Sequence, residues 1–260
     1  FLDYAKSIDA DFIATGHYAR VEHHPDEDSV MLRGVDNNKD QTYFLCQLNQ
    51  SQLQASLFPI GELTKPEVRK IAEDLNLPVA HKKDSTGICF IGERDFREFL
   101  KNYIPAKSGK MVDIESGKVV GEHQGIMYYT IGQRKGLNIG GPGDAWFVVG
   151  KEYDQNILYV CQGDQNDWLM SDGALITDVN WISNDKPTEE YDCTAKFRYR
   201  QPDNDVSIHF VDETTIYVTF KKPIKAVTPG QAAVFYQGDV CLGGGTIEKV
   251  YKDNKEITYL

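Results

Sequence analysis

Several features are scarce or missing in this sequence, and each absence excludes a class of protein. No apolar run approaches the roughly 20 residues that a membrane-spanning helix needs, and the first residues carry no signal-peptide pattern. Only five cysteines occur, without any Cys-x-x-Cys pair, which argues against a disulfide framework or a zinc site and indicates reduced thiols. A glycine-rich phosphate loop is also missing, because the run Leu242–Gly245 lacks the Lys-Ser/Thr and the helix that would follow it.

Positive charge is scarce as well, since 28 Lys and Arg residues face 39 Asp and Glu residues and the net charge is −11. This excludes a surface coated in positive potential, although a nucleic-acid partner needs only a local basic patch. The length of 260 residues and the hydrophobic fraction of 41% are ordinary for a globular protein of one to three domains. We therefore expect a cytoplasmic protein that has no membrane partner.

Three regions of different character follow one another along the chain. In residues 1–106, patterns typical of helices and of strands alternate. One predicted helix begins at Thr64, which forms a capping box with Glu67. Residues 107–163 are rich in glycine, and residues 164–260 hold short alternating strands. The pattern predicts part of an α/β domain with a parallel sheet, then a small β connector domain, then a C-terminal β-barrel.

The segment Lys83–Arg94 is the strongest candidate for chemistry. It is predicted to form a loop rich in small and polar residues, in which side chains are positioned rather than packed. Basic residues on both sides favour the thiolate of Cys89, which could then act as a nucleophile or a sulfur carrier. The local sequence leaves a second interpretation open, a buried structural cysteine between two apolar neighbours.

A second candidate is Thr15-Gly16-His17, which ends a short predicted strand that begins at Asp11. This places a glycine and a polar side chain at the carboxyl edge of the sheet, where open α/β folds bind ligands. Gly16 would let a nucleotide approach the backbone closely. An ordinary turn from strand to loop is the alternative.

A third candidate is the run Lys39-Asp40-Gln41, which precedes the aromatic pair Tyr43-Phe44. Lys, Asp and Gln in succession can contact the phosphate, sugar and base edges of RNA. The alternative is a solvated helix start with Asp40 as its cap.

Two further clusters combine basic and aromatic residues, Tyr128–Leu137 in the connector and Lys196–Gln201 in the barrel. In the barrel cluster, strand alternation predicts Arg198 and Arg200 on one face. Such surfaces suit an RNA backbone with stacked bases. A charged outer face with the aromatic rings turned inward is the alternative for both clusters.

Taken in order, these segments resemble those of bacterial tRNA-specific 2-thiouridylases along essentially the whole chain. The sequence Asp-Ser-Thr-Gly-Ile-Cys-Phe-Ile-Gly-Glu-Arg at 84–94 is highly specific for that family. The other matching segments are 14–18, 39–45, 58–63, 121–125, 130–137, 198–201 and 228–231. We do not expect such a set to recur in this order by chance.

The resemblance implies an enzyme that uses ATP and Mg²⁺ to adenylate the C2 oxygen of the tRNA wobble uridine, after which sulfur displaces AMP. Cys89 matches the cysteine that carries the persulfide, and Gly16 matches a position lining the ATP site. The positions matching tRNA contacts are His17, Lys39, Asp40, Gln41, Arg198, Tyr199 and Gln231. No residue is assigned as a metal ligand. The implied partners are tRNA, through its anticodon stem-loop, and a sulfur donor, either a cysteine desulfurase or a sulfur relay protein.

The resemblance also assigns a role to each region. Residues 1–106 match the C-terminal part of an ATP-pyrophosphatase-like catalytic domain, 107–163 a central connector and 164–260 a tRNA-binding barrel. Two family features are missing: the pyrophosphate loop Ser-Gly-Gly-x-Asp-Ser, and a second catalytic cysteine just upstream of the helix that contains Phe1. We therefore expect ATP and Mg²⁺ to be held mainly by a missing N-terminal part, and this chain to be inactive alone.

Two other functions stay open at this point. The chain could be a non-catalytic RNA-binding module, in which Cys89 is an inert scaffold residue. It could also be an adenylating ligase of the same α/β class that acts on a small molecule, which would predict no affinity for tRNA.

Overall fold

The computed structural model describes residues 1–82, 99, 102–104, 106–187 and 189–259. Cys89 and the rest of its loop lie outside the described residues. The chain divides into two compact units. Unit 1 comprises Phe1–Lys82, Gly173–Lys222 and Pro229–Lys249, and unit 2 comprises the described residues of Lys83–Asp172, Pro223–Thr228 and Val250–Leu260.

The helices of unit 1 are short: α1 (Leu2–Ser7), α2 (Thr42–Leu45), α3 (Gln50–Leu53) and α4 (Lys65–Asp74). The predicted capping box of α4 is confirmed, because the carboxylate of Glu67 accepts the backbone N–H of Thr64 at 2.7 Å. Within the described part of the chain, no helix is long and apolar enough to span a lipid bilayer.

A short parallel pair of strands forms the sheet of the α/β part. Strand β1 (Ile13–Ala14) lies beside β4 (Ser56–Leu57), with Ile13 opposite Ser56. Strand β2 (Ala19–Glu22) follows β1 and pairs with β3 (Val30–Arg33) in antiparallel register. The parallel pair confirms the predicted fold class for this region.

The predicted C-terminal barrel is confirmed as a closed six-stranded barrel. Its strands are β9 (Met170–Trp181), β10 (Tyr191–Lys196), β11 (Asn204–Phe210), β12 (Ile216–Lys225), β13 (Ala232–Gln237) and β14 (Val240–Lys252). They pair in the order β13-β10-β11-β12-β9-β14, and the pairing of β13 with β14 closes the ring. Strand β3 joins this sheet where Leu32 pairs with Val240, and β15 (Lys255–Glu256) pairs with β14.

The α/β part and the barrel share one core within unit 1. Its buried side chains come from both parts: Ala19, Met31, Tyr43, Cys46, Leu53, Phe58, Ile182, Val234, Tyr236 and Cys241. Because removing this apolar surface from water drives folding, residues 42–58 are fixed directly against the barrel wall.

Unit 2 contains a four-stranded sheet built from β5 (Gly109–Asp113), β6 (Val119–His123), β7 (Trp146–Glu152) and β8 (Ile157–Gln162). The strand order is β6-β5-β8-β7, in which only β5 and β8 run parallel. Short 3₁₀ helices occur at Ile126–Tyr128 and Asp167–Leu169. The domain boundaries given above for the whole chain stay a prediction.

One prediction about the barrel is wrong. Strand β10 ends at Lys196, so Arg198 and Arg200 do not share the face of a strand. They lie in a turn, which the Gln201 side chain closes by accepting the N–H of Phe197 at 2.8 Å. Arg200 has a φ of 65° there, a left-handed conformation that a strand residue does not adopt.

Candidate nucleic-acid interface

Two of the predicted site segments are joined by hydrogen bonds. The backbone N–H of Tyr18 donates to the side-chain oxygen of Gln41 at 3.0 Å, and the N–H of Gln41 donates to the carbonyl oxygen of Tyr18 at 2.9 Å. The paired bonds fix the His17-Tyr18 segment beside the Lys39–Gln41 run. Sequence reasoning treated these segments as separate signals.

Asp40 lies at the centre of this arrangement and is only 5% exposed. Its carboxylate accepts the N–H of Gly34 at 3.1 Å and both the N–H and the hydroxyl of Thr42, at 3.3 Å and 2.9 Å. A buried carboxylate with several donors is stabilised by them. Asp40 therefore holds the turn that presents Lys39 and Gln41, and it is not the solvated helix cap of the alternative interpretation.

Three aromatic residues, called here the aromatic cluster, connect this turn to the barrel: Tyr43, Phe44 and Tyr199. The ring centroids of Phe44 and Tyr199 are 4.5 Å apart, and Tyr43 contacts both rings at 5.5 Å and 6.2 Å. The hydroxyl of Tyr43 donates to the carbonyl oxygen of Ala232 at 2.9 Å. Since Ala232 directly follows Gln231, the cluster brings the predicted tRNA contacts at 39–41, 198–199 and 231 into one region.

Four cations, called here the basic patch, line the same part of unit 1: Arg33, Lys196, Arg198 and Arg200. The guanidinium of Arg33 lies 3.8 Å from the ring centroid of Tyr236, and the guanidinium of Arg200 lies 5.3 Å from the centroid of Tyr199. Such stacking on aromatic faces orients a guanidinium.

One carboxylate lies close to two members of the basic patch. The Asp203 carboxylate lies 3.0 Å from Arg33 and 3.8 Å from Lys196. Burial lowers the pKa of Arg198 from its ordinary value, although arginine stays protonated at neutral pH. A molecule of net charge −11 thus places three of its cations close to aromatic rings in this part of unit 1.

Gly16 and His17 occupy the carboxyl end of β1, as predicted. A Cβ placed on Gly16 would meet no atom of the described residues within 4 Å, so the backbone there borders open space as far as the described part of the chain extends. His17 Nδ1 lies 2.9 Å from the Thr15 hydroxyl, and the His17 ring meets Phe58 edge to face at 6.4 Å. Burial lowers the pKa of His17 from its ordinary value, so the ring is neutral at pH 7 and offers hydrogen bonds rather than charge.

The four cysteines in the described part of the chain are free thiols. Burial raises the pKa of Cys46 to about 11 and the pKa of both Cys161 and Cys193 to about 12, and it also raises the pKa of Cys241. A thiol with a raised pKa is protonated at pH 7 and is a poor nucleophile. These four residues have the properties of structural cysteines.

The basic and aromatic cluster of the connector has a different structure. The aromatic and aliphatic members Tyr128, Tyr129, Ile131 and Leu137 are all buried in the core of unit 2. Arg134 and Lys135 are exposed on the surface. The inward-facing alternative is therefore correct for these aromatic rings.

A cleft of about 560 Å³ elsewhere in unit 1 contains none of the predicted site residues. Its rim includes Asp28, Asp185, Glu189 and Glu190, with Lys186 among them. An acidic rim repels phosphate groups. Among the described residues, no group of three His, Cys, Asp or Glu side chains is arranged to hold a metal ion.

Sequence reasoning did not single out Arg33 and Tyr236, two buried residues that contact each other in unit 1. Phe44 and Arg200 lie in segments that the sequence analysis did recognise. That both side chains are exposed to solvent is shown only by the structure. Arg33 ends a strand and Tyr236 lies inside one, so neither has a local pattern that indicates RNA binding.

Comparisons with known proteins cover the whole chain. Three family models match consecutive stretches: a tRNA methyl transferase HUP domain at 1–93, a tRNA methyl transferase PRC-barrel domain at 97–162 and an aminomethyltransferase beta-barrel domain at 171–247. Curated relatives include the tRNA-specific 2-thiouridylase MnmA of Bacillus thuringiensis, Bacillus cytotoxicus and Bacillus mycoides. Each is 57% identical over 260 residues, which is all of this chain and 70% of the relative.

The model descriptions name methyltransferases, whereas the full-length relatives are named 2-thiouridylases. The relatives are the stronger indication of the family, because they align with all 260 residues at 57% identity, whereas each model describes a single domain. The order of a parallel α/β part, a connector sheet and a closed barrel agrees with the order of the three models. The chain belongs to the family of tRNA-specific 2-thiouridylases.

Proposed function

We propose that this chain serves a tRNA-uridine 2-sulfurtransferase, in which its barrel and aromatic cluster bind the anticodon stem-loop and Cys89 carries the sulfur. One observation supports the proposal: three separate segments that the resemblance matches to tRNA contacts meet at one aromatic and basic surface in unit 1. Cations that neutralise phosphates and rings that stack on bases are what single-stranded RNA requires.

Each predicted contact residue can be given a role from its surroundings. Lys39, Arg198 and the nearby Arg200 supply positive charge to the phosphate backbone. Gln41, Gln231 and the neutral His17 offer hydrogen bonds to sugars or base edges. Asp40 acts as a positioning residue, because its carboxylate is already occupied by Gly34 and Thr42.

ATP supplies the adenylyl group that turns the C2 oxygen of the wobble uridine into a leaving group. The open space beside Gly16 fits a nucleotide that approaches the carboxyl end of β1, and a side chain at this position would enter that space. We propose that Mg²⁺ and the phosphates are bound mainly by a pyrophosphate loop, which is not within these 260 residues.

The sulfur step can be written with its bonds balanced. The terminal sulfur of a Cys89 persulfide attacks C2, an S–C bond forms, and the C–O bond to AMP breaks with its electron pair leaving on AMP. A second thiol then attacks the Cys89 sulfur, which releases the thiolated base and leaves a disulfide that a reductant must reopen. We propose that this thiol belongs to the second cysteine that the family resemblance implies just upstream of the helix containing Phe1.

The persulfide itself requires a donor protein, which we propose to be a cysteine desulfurase or a sulfur relay protein. Reduced thiols and a tRNA substrate both favour a cytoplasmic location. The raised pKa values of Cys46, Cys161 and Cys193 disfavour these residues as carriers. Basic neighbours in sequence favour the thiolate of Cys89.

The test is to incubate the chain with a cysteine desulfurase, cysteine and a relay protein, and to map the added sulfur by peptide mass spectrometry. We expect a persulfide at Cys89 that Cys89→Ser removes and the matched control Cys193→Ser leaves in place. Absence of sulfur at Cys89 in a folded chain that binds tRNA would favour a non-catalytic RNA-binding module. Absence of both sulfur and tRNA affinity would favour a ligase for a small molecule.

A further inference from the structure

Phe44 is the least expected member of the aromatic cluster, because it is 57% exposed while Tyr43 beside it is buried. A single exposed apolar side chain is common on protein surfaces and needs no explanation by itself. Phe44 differs because its ring is held in place. It is tilted against Tyr199 at 4.5 Å and meets Tyr43 edge to face at 5.5 Å.

The holding residues are themselves fixed. The hydroxyl of Tyr43 donates to Ala232 on the barrel, and Tyr43 belongs to the buried core of unit 1. Tyr199 packs against that core from the turn after β10. The exposed Phe44 ring is therefore a rigid apolar surface, which loses little conformational entropy when a ligand covers it.

The charge around the ring identifies the class of ligand. The guanidinium of Arg200 lies 5.3 Å from the Tyr199 ring, and Arg198 directly precedes Tyr199 in the same turn. An apolar protein segment gains little from cations beside a single ring. A nucleobase with its phosphate matches both features, because the base stacks on the ring and the phosphate meets the cation.

We propose that Phe44 and Tyr199 form a stacking platform for an unpaired nucleobase of the tRNA anticodon loop, with Arg200 beside the adjoining phosphate. This assigns a ligand-contacting role to Phe44 and rests on the tRNA-binding function proposed above. The platform holds the loop through the face of a base, so it adds affinity without requiring one base identity.

The test measures the affinity of the 260-residue chain for a synthetic anticodon stem-loop that contains the wobble uridine, by fluorescence anisotropy. We expect Phe44→Leu to weaken binding about tenfold and Phe44→Trp to keep it, because indole stacks at least as well as phenyl. Phe12→Leu is the matched control, since Phe12 is 51% exposed and lies outside the aromatic cluster. It should bind like the unchanged chain.

A second readout follows the base directly. The loop nucleotides are replaced one at a time by 2-aminopurine, whose fluorescence is quenched on stacking. We expect one position to be quenched by the unchanged chain and by Phe44→Trp, but not by Phe44→Leu. If Phe44→Leu lowers the melting temperature strongly, Phe44→Trp and the quenching scan still decide the matter.

The outcomes separate the two proposals. If the unchanged chain prefers the stem-loop no more than a duplex without a loop, the tRNA-binding function itself fails. If it binds the stem-loop but Phe44→Leu binds equally well, or weakens no more than Phe12→Leu, or if no position is quenched, only the stacking platform is overturned.

Discussion

The two basic and aromatic clusters of this chain look alike in sequence and differ in structure. In the connector, Tyr128 and Tyr129 are buried and the exposed cation Arg134 has no ring contact among those that the structure describes. In the barrel turn, Tyr199 remains partly open to solvent and lies beside Arg200, and its ring contacts the exposed Phe44 of α2. Local composition of basic and aromatic residues therefore does not distinguish a domain core from a binding surface.

The difference arises from the backbone. Tyr128 ends a 3₁₀ turn that faces the β5–β8 sheet, so its ring completes the core of unit 2. The strand before Tyr199 stops at Lys196, and in the following turn Phe197 is buried whereas Tyr199 stays partly exposed. Where a strand ends thus decides whether an aromatic residue stabilises the fold or remains available for a ligand.

The sharpest way to break this comparison is to remove one tyrosine from each cluster. Tyr129→Ala should lower the free energy of unfolding by about 3–5 kcal/mol, because it deletes a fully buried ring. Tyr199→Ala should cost only about 1 kcal/mol of stability, because its ring is partly exposed, and should weaken RNA binding instead. Urea unfolding followed by circular dichroism gives both values, and equal losses of stability would contradict the assignment.

A second test removes the carboxylate that holds the interface turn. Asp40→Ala should cost about 1.5–3 kcal/mol of stability and weaken RNA binding, because buried donors on Gly34 and Thr42 lose a charged acceptor. Asp113→Ala is the matched control in the connector. Its carboxylate also accepts a backbone N–H, from Glu115, but at an exposed turn. Thermal unfolding should show a clearly smaller loss of stability for Asp113→Ala than for Asp40→Ala. The same loss of stability in both variants would refute a buried role for Asp40.

Salt dependence compares one cation from each cluster. Arg200→Gln should reduce the slope of log affinity against log salt concentration by about 1, as expected when one phosphate contact is lost. Arg134→Gln should leave the slope unchanged, because the aromatic rings of its cluster face inward. Anisotropy titrations between 50 and 200 mM salt, a range over which such slopes are readily resolved, would measure both. An effect at Arg134 as large as that at Arg200 would place the connector in the interface too.

The smallest expected effect concerns pH and lies in the connector. His123 is fully buried, with Nδ1 accepting the N–H of Gly125 at 3.2 Å and Nε2 donating to the carbonyl oxygen of Asn156 at 3.1 Å. Burial lowers the pKa of His123 below its ordinary 6.5, while the Asn156 carbonyl opposes that shift. The folded state therefore binds fewer protons than the unfolded state, and stability falls as the pH drops below 6.5.

His123→Gln provides the comparison for this pH effect, because glutamine does not titrate. Melting temperatures between pH 7.5 and pH 5.5 should decline less in the variant than in the unchanged chain, over the range where histidine titrates. Parallel declines would show that protonation of His123 does not govern the acid sensitivity.

Much of the fold could be predicted from local sequence. The start of α4 followed from Thr64 and Glu67, because a helix cap acts within a few residues. The parallel pair and the barrel followed from the succession of such elements. The α/β class, the barrel and the family were confirmed, whereas the end of β10 was predicted wrongly.

The assembly of the interface could not be predicted without the family resemblance. Tyr43 and Ala232, and Arg33 and Tyr236, are brought together only by tertiary packing. Nothing in their local sequence indicates these pairs, since each partner lies in a different element. The role of Cys89 rests on its sequence context and its family match, and it stays a prediction.

Hydrogen–deuterium exchange of the chain with and without the anticodon stem-loop tests the central claim most directly. We predict that RNA slows exchange in peptides covering residues 39–45, 197–201 and 230–233 together, because these segments form one surface. Peptides covering 126–131 in the connector core should not change. Protection confined to the connector, or to only one of the three segments, would contradict a single tRNA-binding surface built on the aromatic cluster.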